Sequence, residues 1–256
     1  MDRELAVAIR AARAAGAILR GGMRMEKHVS TKAHDRDPVT IFDKQSEETI
    51  VTILKAEFPA YGFLSEEGLD WKGDSPCRWV LDPLDGTNNF LRGVPQFAVS
   101  IGLECSGRTE VACIYDPLRD QLFTARRGGG AYMNGEQIRV SDTTELKDAL
   151  IALEFSSYPP RAVTLYERMR RLIGPVRGVR AFGSACLNLA YVAAGMVDGA
   201  WFLSLSQWDV SAGILLIEEA GGKVTDLSGR PLLDPQTGLL ATNGLLHPEL
   251  LDLVEG

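Results

Sequence analysis

The chain of 256 residues is sparing with the usual ligands of soft metals. It has three histidines (His28, His34, His247) and four cysteines (Cys77, Cys105, Cys113, Cys186). No C-x-x-C pair occurs, which argues against a zinc site and against a disulfide framework. The expectation is four reduced thiols in an intracellular, cytoplasmic protein, with Cys113 and Cys186 packed in apolar runs. Basic residues are in deficit, Lys+Arg 27 against Asp+Glu 34, for a net charge of −7. A nucleic-acid polymer is therefore not expected as a partner, because binding one needs a basic face. Long apolar runs are missing too. The richest window, "LNLAYVAAGMVDGAWFLSL", is interrupted by Asn188 and Asp198 and predicts a buried helix and strand instead of a membrane span. The first residues lack the basic-then-apolar order of a secretory signal. Glycine-rich "RRGGGAYMNG" has no Gly-Lys-Ser/Thr after it and leads into a hairpin, so it is no nucleotide phosphate loop.

Hydrophobic content of 45% with 24% charged residues is the composition of a folded chain with a sizeable core. An apolar stripe at helical spacing predicts a helix over about residues 3–26, and a second runs from Asp43 to about Phe58, where Pro59 stops it. "YGFLSEEG" reads as a short strand from Gly62 to Ser65 that ends on paired acids. "CRWVLDP" reads as a strand ended by Pro83. Four further short strands follow as an antiparallel meander, closed by a tight hairpin at Asn134-Gly135. After Ser141 strands alternate with helices: "ALIALEF", "RAVTLYERMRRLIG", "VRAFG", a helix capped by Ser184, "AWFLSL", and "DVSAGILLIEEAGG" closed by Gly221-Gly222. "KVTDLSG" reads as a turn. The division expected is 1–145, two helices plus an antiparallel sheet, and 146–256, an α/β half.

Three apolar strands run straight into acids: Glu66-Glu67, Asp82 with Asp85, and Asp209. Each acid alone has a plain structural reading, as a solvated loop, a turn or a helix N-cap. Together at one sheet edge they would repel one another and raise their own pKa values unless a cation held them. Hard oxygen donors without His or Cys suit Mg²⁺ or Mn²⁺. Gly86 permits a sharp turn, and Thr87-Asn88 begins a segment whose N–H groups suit phosphate oxygens.

"WVLDPLDGTNNFLRGVPQFAVSIGL" closely resembles the first signature of the inositol monophosphatase family of Mg²⁺-dependent, lithium-sensitive phosphatases. "WDVSAGILLIEEAGG" resembles the second, and the order of the remaining segments matches along essentially the whole chain. The resemblance implies an αβαβα sandwich, α/β (α+β) in class, of the inositol monophosphatase and fructose-1,6-bisphosphatase type, usually a homodimer. It implies Glu66, Asp82, the Leu84 carbonyl, Asp85 and Asp209 as ligands of two or three Mg²⁺ ions. Thr87 would position a metal-activated water with Asp43 as its hydrogen-bond partner. Glu67 would lie near a third, weaker metal, Lys32 would help order the metals, and Gly86 and Thr87 would meet the phosphate. Gly183, Ser184 and Ala185 match a substrate-contacting segment. The implied reaction is hydrolysis of a small phosphate monoester, inositol 1-phosphate by default. Fructose 1,6-bisphosphate, 3′-phosphoadenosine 5′-phosphate and a non-catalytic regulatory relative stand as alternatives. One departure touches the substrate. Relatives acting on inositol phosphates carry a glutamate seven residues before the second-signature aspartate, and here that position is Phe202. Its ring either faces the substrate, where it accepts no hydrogen bond, or packs in the core with a neighbour such as Ser204 facing the pocket.

Overall fold

The structure is a computed structural model that describes residues 1–26, 29–31, 38–154 and 159–254. Helix α1 (Asp2–Gly22) buries the alanine-rich stripe Ala8, Ala11, Ala12 and Ala15, whose small side chains bring it close to its neighbours. After the short strands β1 (Val29–Thr31) and β2 (Pro38–Thr40) comes α2 (Ile41–Glu57). Its start lies two residues ahead of the sequence expectation because Thr40 caps it. Thr40 Oγ1 accepts from Phe42 N, and Asp43 reaches back to Thr40 N, in a reciprocal capping box.

The larger sheet comprises β3 (Gly62–Ser65), β4 (Asp70–Trp71), β5 (Cys77–Asp85), β6 (Ala98–Cys105), β7 (Arg108–Asp116), β8 (Gln121–Arg126), β9 (Gly130–Met133) and β10 (Glu136–Ile138). Its order is β10-β9-β8-β7-β6-β5-β3-β4. From β5 to β10 it is the expected antiparallel meander, and β3 joins β5 in parallel. The β9–β10 hairpin turns on Asn134 (φ 51°) and Gly135 (φ 87°), the double left-handed geometry that the Asn-Gly pair suits. Short helix α3 (Thr87–Arg92) follows β5.

The smaller sheet uses β11 (Leu150–Leu153), β12 (Gly178–Ala181), β13 (Gly199–Phe202), β14 (Lys223–Thr225) and β15 (Leu239–Thr242), ordered β12-β11-β13-β15-β14. β11 runs parallel to both β12 and β13. The remaining helices are α4 (Pro159–Leu172), α5 (Ala185–Ala193), α6 (Gln207–Glu219) and α7 (His247–Val254). "KVTDLSG", expected as a turn, contributes strand β14. Its apolar content is too short to signal a strand alone, and it is held by pairing with β15.

Three apolar clusters define the layers. One joins α1 and α2 to the large sheet through Leu19, Leu54, Trp79 and Phe97. A second lies between the sheets around α5 and α6, and a third packs α4 and α7 on the small sheet through Leu165, Trp201 and Leu250. The result is the αβαβα sandwich. The large sheet ends at Ile138 and the small one begins at Leu150, while α6 packs on strands of both.

Cys77 and Cys105 sit directly opposite on β5 and β6 and form a disulfide, against the expectation of four reduced thiols. The spacing rule missed it because partners 28 residues apart are brought together only by the sheet register. Cys113 and Cys186 are free and buried. Among the described residues no helix is long and apolar enough to cross a membrane.

Candidate active site

The strand that begins at Cys77 does not stop at Pro83. It runs on to Asp85 through a register shift, with Asp82 opposite Ser100 and Asp85 opposite Ala98. Side chains alternate along a regular strand, so positions three apart point to opposite faces. The extra residue of the bulge reverses that alternation and turns both aspartates to one side. Pro83, which has no N–H to give the ladder, sits in the shifted stretch. Ser46 Oγ of α2 donates to Pro83 O (2.7 Å), and Leu84 N donates to Asp82 Oδ1 (3.0 Å), fixing the bulge.

Register brings in the next acid. Ser65 pairs with Leu81, so the residues that follow them, Glu66 and Asp82, come side by side, and Glu66 N donates to Leu81 O (3.2 Å). Asp209 arrives from the other half, in the first turn of α6. The cap of that helix is Ser206, not Asp209 as the sequence suggested, and Ser206 N donates to Asp209 Oδ2 (2.6 Å). Gly86 then turns the chain from β5 into α3 at φ 95°. A Cβ there would stand 3.0 Å from Gln96 O and 3.1 Å from Gly183 O, so only glycine fits.

These residues line a cavity of ≈ 450 Å³ between the two sheets. Glu66, Asp82, Leu84, Asp85, Gly86, Thr87, Gly183, Ala185 and Asp209 are all on its wall. Thr87 Oγ1 lies 3.2 Å from Asp43 Oδ1 and 3.1 Å from Leu84 O, one hydroxyl hydrogen between two acceptors. Asp43 is fully buried. Ser184 lies beneath the wall, where its hydroxyl donates to Asp85 Oδ2, and Ala185 N (3.1 Å) and Cys186 N (2.8 Å) donate to the same carboxylate. Glu67 is the next residue of the turn and does not line the cavity, and Lys32 lies outside the described residues. Phe202 is 2% exposed, stands in the core between the sheets and is not on the cavity wall. Of the two alternatives for this position, core packing is the one observed. Leu205, and not Ser204, faces the cavity.

Burial, followed by the charges of Glu66, Asp85 and Asp209, pushes Asp82 well above the usual carboxylate range. Burial also raises Asp85 to about 6, although the Ser184, Cys186 and Ala185 donors oppose the rise. Such a group of acids calls for a cation, and among the described residues none on the wall is basic. Oxygens of Asp82 and Asp85 lie within 4.8 Å of each other and of Cys186 Sγ. Burial and the nearby aspartates push the Cys186 thiol up, which leaves it a poor ligand and the donor set one of hard oxygens. The residues present fit a divalent cation such as Mg²⁺.

Three residues at the site were not singled out in the sequence. Asn89 Nδ2 reaches Phe182 O (2.7 Å), Gln96 O (2.8 Å) and Gly183 O (3.1 Å), pinning α3 to the loop after β12. Buried Glu104 accepts from Gln207 Nε2 and Ser211 Oγ of α6 and pairs with Arg78, which anchors the helix carrying Asp209. Glu154 lines the cavity directly after β11, and its signal was present: "ALIAL" is another apolar strand that runs into an acid.

Fold and crevice define an αβαβα protein whose acids converge between two sheets. A model of the inositol monophosphatase family matches residues 1–256, and the chain belongs to that family. It is 41% identical over 258 residues to the Nus factor SuhB of Pasteurella multocida, covering 100% of this chain and 97% of that one. It is 44% identical over 222 residues to the inositol-1-monophosphatase of Mesorhizobium japonicum, covering 86% and 83%. The crystal structure of the extragenic suppressor protein suhB from Bartonella henselae matches with a TM-score of 0.94 at 40% identity, covering 97% of each chain.

Proposed function

We propose that this chain is a Mg²⁺-dependent phosphatase that hydrolyses a small phosphate monoester, with inositol 1-phosphate the default substrate. The observation that carries the reading is the convergence of Glu66, Asp82, Asp85 and Asp209 on one cavity with no basic side chain on its described wall. When bound, divalent cations supply Lewis-acid chemistry, lowering the pKa of a water and stabilising the charge that develops on the leaving oxygen. The chain's own residues do the positioning. Asp43, fixed by the α2 capping box, accepts from Thr87 and orients its hydroxyl, whose lone pairs then hold the attacking water. The Gly86 and Thr87 N–H groups receive phosphate oxygens, and Asp85, held from behind by Ser184, stays where the leaving group departs. Water attacks phosphorus as the alkoxide leaves, so no enzyme nucleophile is needed. The resemblance also implies a homodimer, which light scattering tests.

A second reading, a non-catalytic relative that acts through a partner, draws support from the Nus factor name of the Pasteurella multocida relative. The retained carboxylate set favours the enzyme, since a docking role has no use for it. Phosphate release with and without Mg²⁺ separates the two, across inositol 1-phosphate, fructose 1,6-bisphosphate and 3′-phosphoadenosine 5′-phosphate. Release that requires the metal and is lost in Asp85→Asn and Asp209→Asn, with folding retained, supports the enzyme. No release from any ester, or near-normal turnover in either variant, overturns this assignment of the site.

A further inference from the structure

The cavity has two unlike walls. One wall carries Glu66, Asp82, Asp85, Gly86 and Thr87, from the ends of β3 and β5 and the turn after β5. The other wall comes from the small sheet. There β11, β12 and β13 run parallel, so the segments that leave their C-terminal ends emerge at one edge, and they deliver Glu154, Phe182 with Gly183, and Leu205 to the cavity. The C-terminal edge of parallel strands is where such sheets receive ligands. Phe182 and Leu205 are apolar and Gly183 has no side chain, which leaves Glu154 as the ionisable group these three segments present. Its Oε2 is sealed from solvent and has no hydrogen-bond partner among the described residues. A buried carboxylate oxygen without a donor is costly, so something must be meant to meet it. Burial and then the charges of Asp85 and Asp209 push its pKa well up.

Phe202, seven residues before Asp209, is folded into the core and offers the cavity no hydrogen-bonding group. Resting on the phosphatase reading above, we propose that Glu154 is the residue that selects the substrate's alcohol portion. It makes a hydrogen bond with a hydroxyl close to the ester carbon. The substrate class is then a polyol or sugar phosphate with a hydroxyl beside the ester. Phe182 and Leu205 cover the apolar face of the same alcohol.

The test is steady-state kinetics of wild type and the near-isosteric Glu154→Gln at saturating Mg²⁺. The substrates are inositol 1-phosphate, phenyl phosphate (which has no hydroxyl on its alcohol portion) and fructose 1,6-bisphosphate. The ratio of kcat/KM for inositol 1-phosphate over phenyl phosphate should fall about tenfold, mostly through KM. The ratio for fructose 1,6-bisphosphate over phenyl phosphate should fall as well, since the sugar also carries a hydroxyl beside the ester carbon. Equal losses on all three esters would overturn the proposal in favour of a structural role. A raised Mg²⁺ half-saturation with phenyl phosphate, the other ratios unchanged, would overturn it in favour of a metal ligand. If Glu154→Gln fails to fold, Glu154→Asp, which withdraws the carboxylate by one methylene, carries the same comparison. A wild type that hydrolyses none of the esters defeats the phosphatase reading itself, an outcome distinct from either of these.

Discussion

Ser184 donates its hydroxyl hydrogen to Oδ2 of Asp85, across 99 residues of sequence and from one sheet's half of the molecule to the other. The same oxygen of Ser184 accepts from Leu187 N and caps α5. Ser184→Ala therefore removes a cap and a donor to a buried carboxylate at once. The expected loss of stability is about 1–2 kcal/mol in denaturant unfolding at neutral pH. With one of its opposing donors gone, Asp85 should rise further above about 6, so the acid limb of the pH–rate profile should move to higher pH. An unmoved limb would mean that Asp85 does not govern it.

Thr87 and Asp43 form the second pair to test. Thr87→Val keeps the shape of the side chain and removes the hydroxyl that Asp43 orients at 3.2 Å. If Thr87 positions the attacking water, kcat should drop by about 10²-fold or more, with little change in melting temperature. Asp43→Asn should cost less activity and more stability, because Asp43 also closes the capping box of α2. Thr87→Val with wild-type kcat would remove Thr87 from the reaction.

Much of the fold was legible because its elements are locally marked: the alanine stripe of α1, the Asn134-Gly135 turn, and the serine cap of α5 all announce themselves. The candidate site was legible for the same reason, since acids placed at the ends of apolar strands meet wherever those strands share an edge. What stayed hidden depends on partners far away in sequence. β14 is a strand only through β15, and the Cys77–Cys105 bridge needs the β5–β6 register. The bulge that turns Asp82 and Asp85 to one side cannot be read from proline alone, which signalled a strand end. Phe202 shows the limit of motif alignment: position in a signature says nothing of which way a side chain faces.

The disulfide gives a direct chemical prediction. Cys77 and Cys105 are partly exposed at opposed positions of β5 and β6, whereas Cys113 and Cys186 are fully buried. Alkylation followed by mass spectrometry should find two reactive thiols in the denatured, unreduced protein and four after reduction. Four in the unreduced protein would remove the bridge. Closing a loop of 28 residues stabilises by about 3–4 kcal/mol on the loop-entropy account, so Cys77→Ser with Cys105→Ser should lower the unfolding free energy by an amount of that order.

The carboxylates also fix how stability responds to pH and metal. Asp85 is at about 6 in the folded chain against 3.8 for a free aspartate, and Asp82 is displaced in the same direction, both chiefly by burial. A carboxyl raised on folding stabilises the native state fully below its unfolded value, and that contribution is lost as pH rises through the folded value. For Asp85 the window is about pH 4 to 6, and the contribution lost is about 3 kcal/mol at roughly 1.4 kcal/mol per pH unit. In the metal-free protein these acids should therefore oppose folding more at pH 7.5 than at pH 4.5. A divalent cation offsets that cost where the acids are ionised and competes with protons where they are not. Melting in EDTA and in excess Mg²⁺ checks this: the rise in Tm on adding Mg²⁺ should be large at pH 7.5 and small at pH 4.5. Asp85→Asn, which carries no charge at either pH, should raise the metal-free Tm at pH 7.5 and blunt the response to Mg²⁺. An equal Mg²⁺ response at both values would mean that the cation binds elsewhere.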